Sequence, residues 1–236
     1  VMGVEEYGLK SQEIAPLIKS IEYMHTASLI FDDLPSQDNA DIRRGRLTLH
    51  KEKNVATAEL TGLFLSHKGI EAQTSLSGFD AKTVLHLIQY TTQITGEMCK
   101  GQAMDLESRG KRLSVEQLTM LSFLKTGIAF EASLMMPAIL AKVNEEEKNA
   151  LKKFAYHAGI AFQIKDDLLD VEGDTTFLGK IVGKDAENNN STFVTILGVE
   201  GARKELWEHY SLALEELEKL PRKTNFLKHL MNYIVI

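Results

Sequence analysis

Hydrophobic side chains recur at helical spacing along most of the chain. Between residues 11 and 33, apolar or small residues return every three or four positions, and residues 55–75, 85–106, 114–137 and 147–171 repeat the pattern. Two further helices are predicted after residue 191. The β-branched stretch 193–197 is short and isolated, so no strand is predicted. The pattern therefore predicts an all-α fold in a single domain covering residues 1–236.

Turn signals divide these helices. Pro35 disfavours helical geometry in the residue before it, so the first helix should end there. Ser114 with Gln117 forms a capping box that opens a later helix. Residues 172–191 are polar and rich in glycine, and they are predicted to form the longest loop.

Composition narrows the function classes. The formal charge of -6, without a dominant basic stripe, argues against nucleic acid as a partner. Cys99 is the single cysteine, so no internal disulfide can form and a reducing, cytoplasmic location is expected. No apolar run approaches the roughly 18 residues that span a bilayer, so no membrane span is expected. The first residues are not a signal peptide and begin without a helix cap, so a segment upstream is expected.

An acidic cluster follows the first helix. Asp32 and Asp33 end that helix, and a loop after Pro35 can return Asp38 to the same place, with Asp41 beside it. A basic loop containing Arg43 comes next. Carboxylates grouped this densely repel one another unless cations lie between them. Cations between the carboxylates and phosphates near the arginines would therefore explain why acidic and basic residues occur together.

A second acidic cluster ends the helix of residues 147–171. Asp166 and Asp170 share a helix face, with Asp167 beside them. A solvated acidic face fits poorly, because the preceding turn is apolar and a helix C-terminus prefers cations. Oxygen ligands without a histidine or cysteine set indicate Mg²⁺, with Mn²⁺ as the alternative.

The two clusters resemble the aspartate-rich motifs of the trans-isoprenyl diphosphate synthases, the polyprenyl synthetase family. DDLPSQDNADIRRGRLTLHK is similar to the first motif and DDLLD to the second. GQAMDLE, the KTG at Lys125 and LGKIVGKD resemble three further family motifs, in the family's order. The match runs through nearly the whole chain.

This resemblance implies a barrel of helices around a deep central cavity, usually a homodimer, with isopentenyl diphosphate and allylic prenyl diphosphates as substrates. The implied Mg²⁺ ligands are Asp32, Asp33, Asp38, Asp166, Asp167 and Asp170. The residues implied to contact the allylic substrate are Arg43, Lys125, Thr126, Gln163 and Lys180, while His25 and Arg44 would lie on the isopentenyl diphosphate side. Among these, Asp32, Asp33, Asp38, Arg43, Lys125, Asp166 and Lys180 are the candidate catalytic residues.

Product length is predicted from steric bulk. In short-chain relatives an aromatic residue near the first motif blocks the cavity, whereas this chain has Ala27 and Ser28 there. The hypothesis is a product longer than farnesyl, with geranylgeranyl diphosphate first and farnesyl diphosphate as the alternative. Replacing Ala27 by Phe is predicted to shorten the product.

Other functions remain open at this stage. A terpene cyclase also ionises prenyl diphosphates with aspartate-bound Mg²⁺, although the KTG and RRG motifs favour elongation. Ala40 and Leu63 stand where the family usually has aspartates, and its N-terminal GGKRxRP motif would fall upstream of Val1. These departures keep a weakly active regulatory subunit of a heteromeric synthase as an alternative, whereas a bland helical scaffold fits so many ordered motifs poorly.

Overall fold

A computed structural model describes residue 3 and residues 6–172, 191–222 and 224–235 of the chain. Helices dominate it, as predicted. They are α1 (Ser11–Asp32), α2 (Leu49–Glu52), α3 (Val55–Thr74), α4 (Ala81–Ser108), α5 (Val115–Ser122), α6 (Ile128–Leu140), α7 (Glu145–Glu172), α8 (Phe193–Glu218) and α9 (Asn225–Val235). The chain divides into two compact units, Gly3–Thr91 and the residues from Thr92 onward. The prediction of a single domain stays a prediction.

In the unit Gly3–Thr91, α1 packs against α3 through glycines. A Cβ on Gly62 would lie 2.8 Å from the Phe31 ring, and one on Gly69 would lie 2.6 Å from Met24 Cγ. Because either contact is too short for a larger residue, the glycines allow the two helices to approach closely. This packing fixes the helix that carries the first acidic cluster.

The basic loop is a small hairpin, which corrects the prediction of no strand. Strands β1 (Ile42–Arg43) and β2 (Arg46–Leu47) pair antiparallel. Arg44 and Gly45 have φ values of 52° and 74°, and two consecutive residues with positive φ are typical of a type I′ turn. Two-residue strands are too short to give an alternating hydrophobic pattern, so the sequence did not reveal them.

In the second unit, α7 forms the centre of the core and packs against α6 and α8. The buried apolar side chains of α7 include Leu151, Phe154, Ile160 and Ile164. A Cβ on Gly159 of α7 would lie 2.3 Å from the Cα of Gly127, so the backbones touch at this point. Any side chain on Gly159 would push α7 away from the segment that carries Lys125.

Local signals behave as the sequence predicts in two places. The Ser114 hydroxyl accepts a hydrogen bond from the Gln117 backbone N–H, and the Gln117 side-chain oxygen accepts one from the Ser114 backbone N–H, which confirms the capping box. The stretch 193–197 is helical, within α8. Between α5 and α6, however, residues Phe123–Gly127 form a π-helical turn that hydrophobic spacing did not predict.

One helical stretch, Val115–Leu140, is long and apolar enough by length and composition to cross a membrane. The sequence expectation missed it because it considered only uninterrupted apolar runs. Half of its most apolar window is buried inside the fold, and core helices of soluble proteins meet the same criterion, so the stretch is weak evidence for a membrane span.

Candidate active site

The first acidic cluster forms where α1 ends. Asp32 is the last residue of α1, and the backbone N–H of Asp38 donates a hydrogen bond of 2.9 Å to the Asp32 carbonyl. The N–H of Asn39, which has a φ of 47°, donates to the Leu34 carbonyl. This confirms that the loop after Pro35 folds back and brings Asp38 to Asp32.

Asp33 lies in the same cluster and is bound by Arg43. Its side chain is 6% exposed, and Arg43 binds it with Nε at 2.8 Å and a terminal guanidinium nitrogen at 2.7 Å from Oδ1. This hydrogen bond raises the pKa of Arg43, and the charges of Asp32 and Asp38 act in the same direction. Arg43 is therefore fixed close to all three carboxylates.

The loop between α1 and β1 is stabilised by residues that follow the hairpin. Thr48 is buried, and its hydroxyl donates to the Ala40 carbonyl at 2.7 Å and lies 3.1 Å from His50 Nδ1. The sequence analysis missed Thr48 and His50, because neither carries charge or sits in a periodic pattern. Asp41 is exposed and pairs with Lys51 at 2.8 Å, and the prediction that it joins Asp32 stays a prediction.

The residues predicted on α1 divide between two faces. His25, Ser28 and Asp32 follow one another at helical spacing and share a face. Ala27 instead shares a face with Met24 and Phe31, which contact α3, and it is 2% exposed. Ala27 is therefore buried on the side of α1 that faces α3, and its role in product length stays a prediction. Ser28 donates its hydroxyl to the His25 carbonyl.

The second acidic cluster lies near the C-terminal end of α7. Asp167 is 4% exposed, and its carboxylate accepts hydrogen bonds from Gln163 Nε2 at 2.9 Å and from the Phe193 backbone N–H at 2.8 Å. Phe193 is the first residue of α8, so Asp167 places a negative charge at the positive end of that helix. Asp170 is also buried, whereas Asp166 is more accessible.

Lys125 and Thr126 belong to the same unit as the second cluster. Lys125 lies in the π-helical turn, and its ammonium is 2.7 Å from Asp105 Oδ2 on α4. Thr126 follows it and is partly exposed. Asp105 belongs to the GQAMDLE motif, but nothing in that motif's spacing predicts an ion pair with Lys125. Lys180 lies outside the described residues.

The donor set fits Mg²⁺. Among the residues that the structure describes, no group of three or more histidine, cysteine or acidic side chains could hold a metal by itself. Mg²⁺ usually takes one or two carboxylates and completes its shell with water and phosphate oxygens, so pairs of carboxylates suffice. Asp33 and Asp167 accept hydrogen bonds from the protein, and they stay candidate ligands together with Asp32, Asp38, Asp166 and Asp170.

A histidine pair joins α7 to α8 away from these carboxylates. Nδ1 of His157 lies 3.0 Å from Nδ1 of His209. Burial, with a smaller contribution from His157, lowers the pKa of His209 to about 4. Burial also lowers the pKa of His157, and the charged groups acting on it are Glu216, Glu215, Lys153 and Lys219.

Comparisons with known proteins agree with this helical site. A profile described as polyprenyl synthetase matches residues 2–228. The farnesyl diphosphate synthase of Haemophilus influenzae is 36% identical over 97% of this chain and 78% of its own length, and the geranylgeranyl diphosphate synthase of Rhodobacter capsulatus is 35% identical over 91% and 72%. The crystal structure of geranyltransferase from Helicobacter pylori, complexed with magnesium and isoprenyl diphosphate, superposes with a TM-score of 0.81 at 31% identity, covering 97% of this chain and 76% of that one.

The fold is thus that of the isoprenyl synthases, a class of helical prenyltransferases. The chain belongs to the polyprenyl synthetase family. It is a short-chain isoprenyl diphosphate synthase, and the substrates of that family are isopentenyl diphosphate and allylic diphosphates.

Proposed function

We propose that this enzyme makes farnesyl diphosphate as its main product by adding isopentenyl diphosphate to shorter allylic diphosphates. The catalytic proposal rests on one observation: the unit that contains each acidic cluster also contains a basic side chain suited to binding diphosphate. Arg43 is bound to Asp33 beside Asp32 and Asp38, and Lys125 lies in the unit that contains Asp166 and Asp170. Diphosphate binding requires both kinds of group, because metal ions and basic side chains share its charge.

The roles of the carboxylates are assigned from the family resemblance. Mg²⁺ binding falls to Asp32, Asp33 and Asp38 in the first unit and to Asp166, Asp167 and Asp170 in the second. Asp33 and Asp167 also position other groups, because their oxygens accept hydrogen bonds from the protein. Bound Mg²⁺ supplies the positive charge that stabilises the departing diphosphate.

The remaining residues bind and orient the two substrates. We assign contact with the allylic diphosphate to Arg43, Lys125, Thr126, Gln163 and Lys180, as the family resemblance implies. Ionisation of the carbon–oxygen bond gives diphosphate and an allylic cation, which the isopentenyl double bond attacks; loss of a proton completes the longer chain. His25 and Arg44 are assigned to isopentenyl diphosphate. The allylic cation formed by ionisation must be shielded from water.

The assignment of farnesyl diphosphate rests on two points. The relative from Haemophilus influenzae, matched over most of both chains, is a farnesyl diphosphate synthase. The sequence argument for a longer product used Ala27 and Ser28, and Ala27 is buried on the α3-facing side of α1, where packing also favours a small residue. Geranylgeranyl diphosphate is the second candidate, because Ser28 is small, partly exposed and on the Asp32 face.

The test is a product assay. The enzyme is incubated with Mg²⁺, isopentenyl diphosphate and, in turn, dimethylallyl, geranyl or farnesyl diphosphate, and the products are identified by mass spectrometry. Farnesyl diphosphate from the two shorter primers supports the proposal. Efficient elongation of farnesyl diphosphate establishes the second candidate instead. Cyclic hydrocarbons, or no product unless a partner subunit is added, would contradict both.

Two substitutions test the product-length residues. Ser28→Phe places a ring on the Asp32 face of α1 and should shift the product distribution towards shorter chains. Ala27→Phe should instead collide with α3 and lower the free energy of unfolding by about 1–3 kcal/mol. Mass analysis of the products and urea unfolding separate the two effects. Shorter products from Ala27→Phe at unchanged stability would restore Ala27 as the length-setting residue.

The oligomeric state remains part of the proposal. The family resemblance implies a homodimer, and sedimentation equilibrium of the purified chain distinguishes that arrangement from a monomer or from dependence on a second subunit.

A further inference from the structure

Lys125 is held in an unusual local geometry. The π-helical turn Phe123–Gly127 places one extra residue in a helix that otherwise runs from α5 into α6. Such turns are rare in proteins and often occur at functional sites. The turn lies against the backbones of two neighbouring helices, α4 and α7, which meet it at glycines.

The contact with α4 is made by Gly101. A Cβ on this residue would lie 2.5 Å from both the Leu124 carbonyl carbon and the Lys125 backbone nitrogen. Side chains do not tolerate such a distance, and backbone atoms cannot rotate away as a side chain could. Gly101 is therefore required for α4 to lie against the backbone of Lys125.

Asp105 follows Gly101 by four residues, so it lies one turn further along the same face of α4. Its Oδ2 is 2.7 Å from Lys125 Nζ, and a guanidinium nitrogen of Arg109 is 3.7 Å away. The side chains of Lys125 and Asp105 are 30% and 24% exposed, so water screens this pair only partly. The contact with Gly101 thus fixes the backbone of Lys125, and the carboxylate of Asp105 binds its ammonium.

We propose that Asp105 is a positioning residue for Lys125 in diphosphate binding. A lysine side chain has four rotatable carbon–carbon bonds and loses much conformational freedom when its ammonium is fixed. The bond to Asp105 fixes the ammonium before substrate arrives. Because an ammonium has three N–H donors, diphosphate oxygens can bind while the bond to Asp105 persists. This inference rests on the proposed role of Lys125 at the allylic diphosphate.

The experiment is a double-mutant cycle of Asp105→Asn and Lys125→Met in the whole chain. The readouts are kcat, the KM of each substrate, and calorimetric binding of geranyl thiolodiphosphate, an allylic analogue that ionises slowly. Asp105→Asn should weaken analogue binding and lower kcat/KM for the allylic substrate by about tenfold, with the KM of isopentenyl diphosphate unchanged. Glu107→Gln is the matched control, because it neutralises an exposed carboxylate two residues away on α4, and it should leave all readouts unchanged.

The cycle separates positioning from a general structural role. If Asp105 acts through Lys125, the double variant should lose no more than Lys125→Met alone. An Asp105→Asn effect that persists in full in the Lys125→Met background, or normal binding and turnover in Asp105→Asn, would overturn the proposal. Asp105→Glu provides a second check if the asparagine variant folds poorly: it keeps the charge but displaces it, so positioning predicts a partial loss of analogue binding and unchanged binding contradicts it.

Failure of this inference and failure of the proposed function give different results. Lys125→Met with full activity and full analogue binding removes Lys125 from the site and overturns this inference, while the proposed reaction still stands. No elongated product from the unmodified enzyme would instead overturn the proposed function. A strong loss in Lys125→Met, combined with a neutral or fully additive Asp105→Asn, overturns only the role of Asp105.

Discussion

The two aspartate pairs have the same sequence but different physical roles. In each pair the first residue is partly accessible and the second, Asp33 or Asp167, is 4% exposed. Asp33 binds the guanidinium of Arg43, a side chain proposed to contact substrate. Asp167 binds Gln163 and the backbone at the start of α8. A repeated motif can therefore hold a side chain proposed to be catalytic in one place, and a glutamine together with the start of a helix in another.

The largest effect expected from this difference is a loss of turnover in Asp33→Ala. Without its carboxylate partner, Arg43 no longer has a fixed position beside Asp32 and Asp38, and kcat/KM should fall by about 100-fold. Stability should fall by only about 1 kcal/mol, because the Arg43 side chain is 36% exposed and can reach water. Steady-state kinetics and urea unfolding measure the two quantities. Asp41→Ala, which removes an exposed carboxylate from the same segment, serves as the control, and comparable kinetic losses in both variants would refute the assignment.

Asp167→Ala should act mainly on folding, with a smaller kinetic loss than Asp33→Ala because Gln163, proposed to contact the allylic substrate, loses its partner. The substitution leaves the buried Phe193 N–H without its acceptor and removes a negative charge from the start of α8. We expect the free energy of unfolding to fall by about 2–3 kcal/mol.

The matched control for Asp167 is Glu172→Ala. It removes an exposed ion pair of 2.7 Å between Glu172 of α7 and Arg203 of α8, and such pairs contribute little. If both substitutions destabilise the chain equally, the buried hydrogen bond has no special role, and the contrast with Asp33 disappears.

The smallest effect is a pH dependence limited to the unit that contains the second cluster. Burial keeps His209 neutral in the folded chain, where its pKa is about 4, whereas an unfolded histidine titrates near its ordinary value. The unfolded state therefore binds more protons as pH falls. The stability contributed by the neutral His209 ring is complete above the pKa of the unfolded state, and it is lost as pH falls towards the pKa of the folded state.

Unfolding measured at about pH 7.5 and about pH 5 should differ by about 1–2 kcal/mol, after allowance for the partial exposure of the ring. His209→Gln should reduce this difference, since glutamine does not titrate. Hydrogen exchange should locate the loss in α7 and α8 and leave α1 unaffected. An equal loss of protection in α1 would show that acid acts on the whole chain.

Much of the fold was predictable from sequence, and part of the site was not. The long helices bury continuous stripes, so periodicity located α1, α3, α4 and α7 well. Pro35 correctly predicted that the loop returns Asp38 to Asp32, because the restriction before proline is local. The hairpin and the π-helical turn were missed, since each spans only a few residues and depends on neighbouring segments.

The sequence also could not separate the two members of each aspartate pair. Asp32 and Asp33 have the same chemistry, and their difference arises because the hairpin brings Arg43 to one of them. Likewise, the sequence did not show that Ala27 is buried on the α3-facing side of α1, where packing also favours a small residue. Packing between segments that are far apart in the sequence decides these roles, and a single sequence does not show which segments pack together.

The hairpin at the first cluster has a consequence for protein engineering. Arg44 has a φ of 52°, a left-handed conformation that costs a non-glycine residue about 1 kcal/mol. Asparagine or glycine would relieve this cost at the same position. Directed evolution that selects only for heat resistance would therefore favour replacing Arg44 and losing its guanidinium. Such an experiment should measure the use of isopentenyl diphosphate in every round.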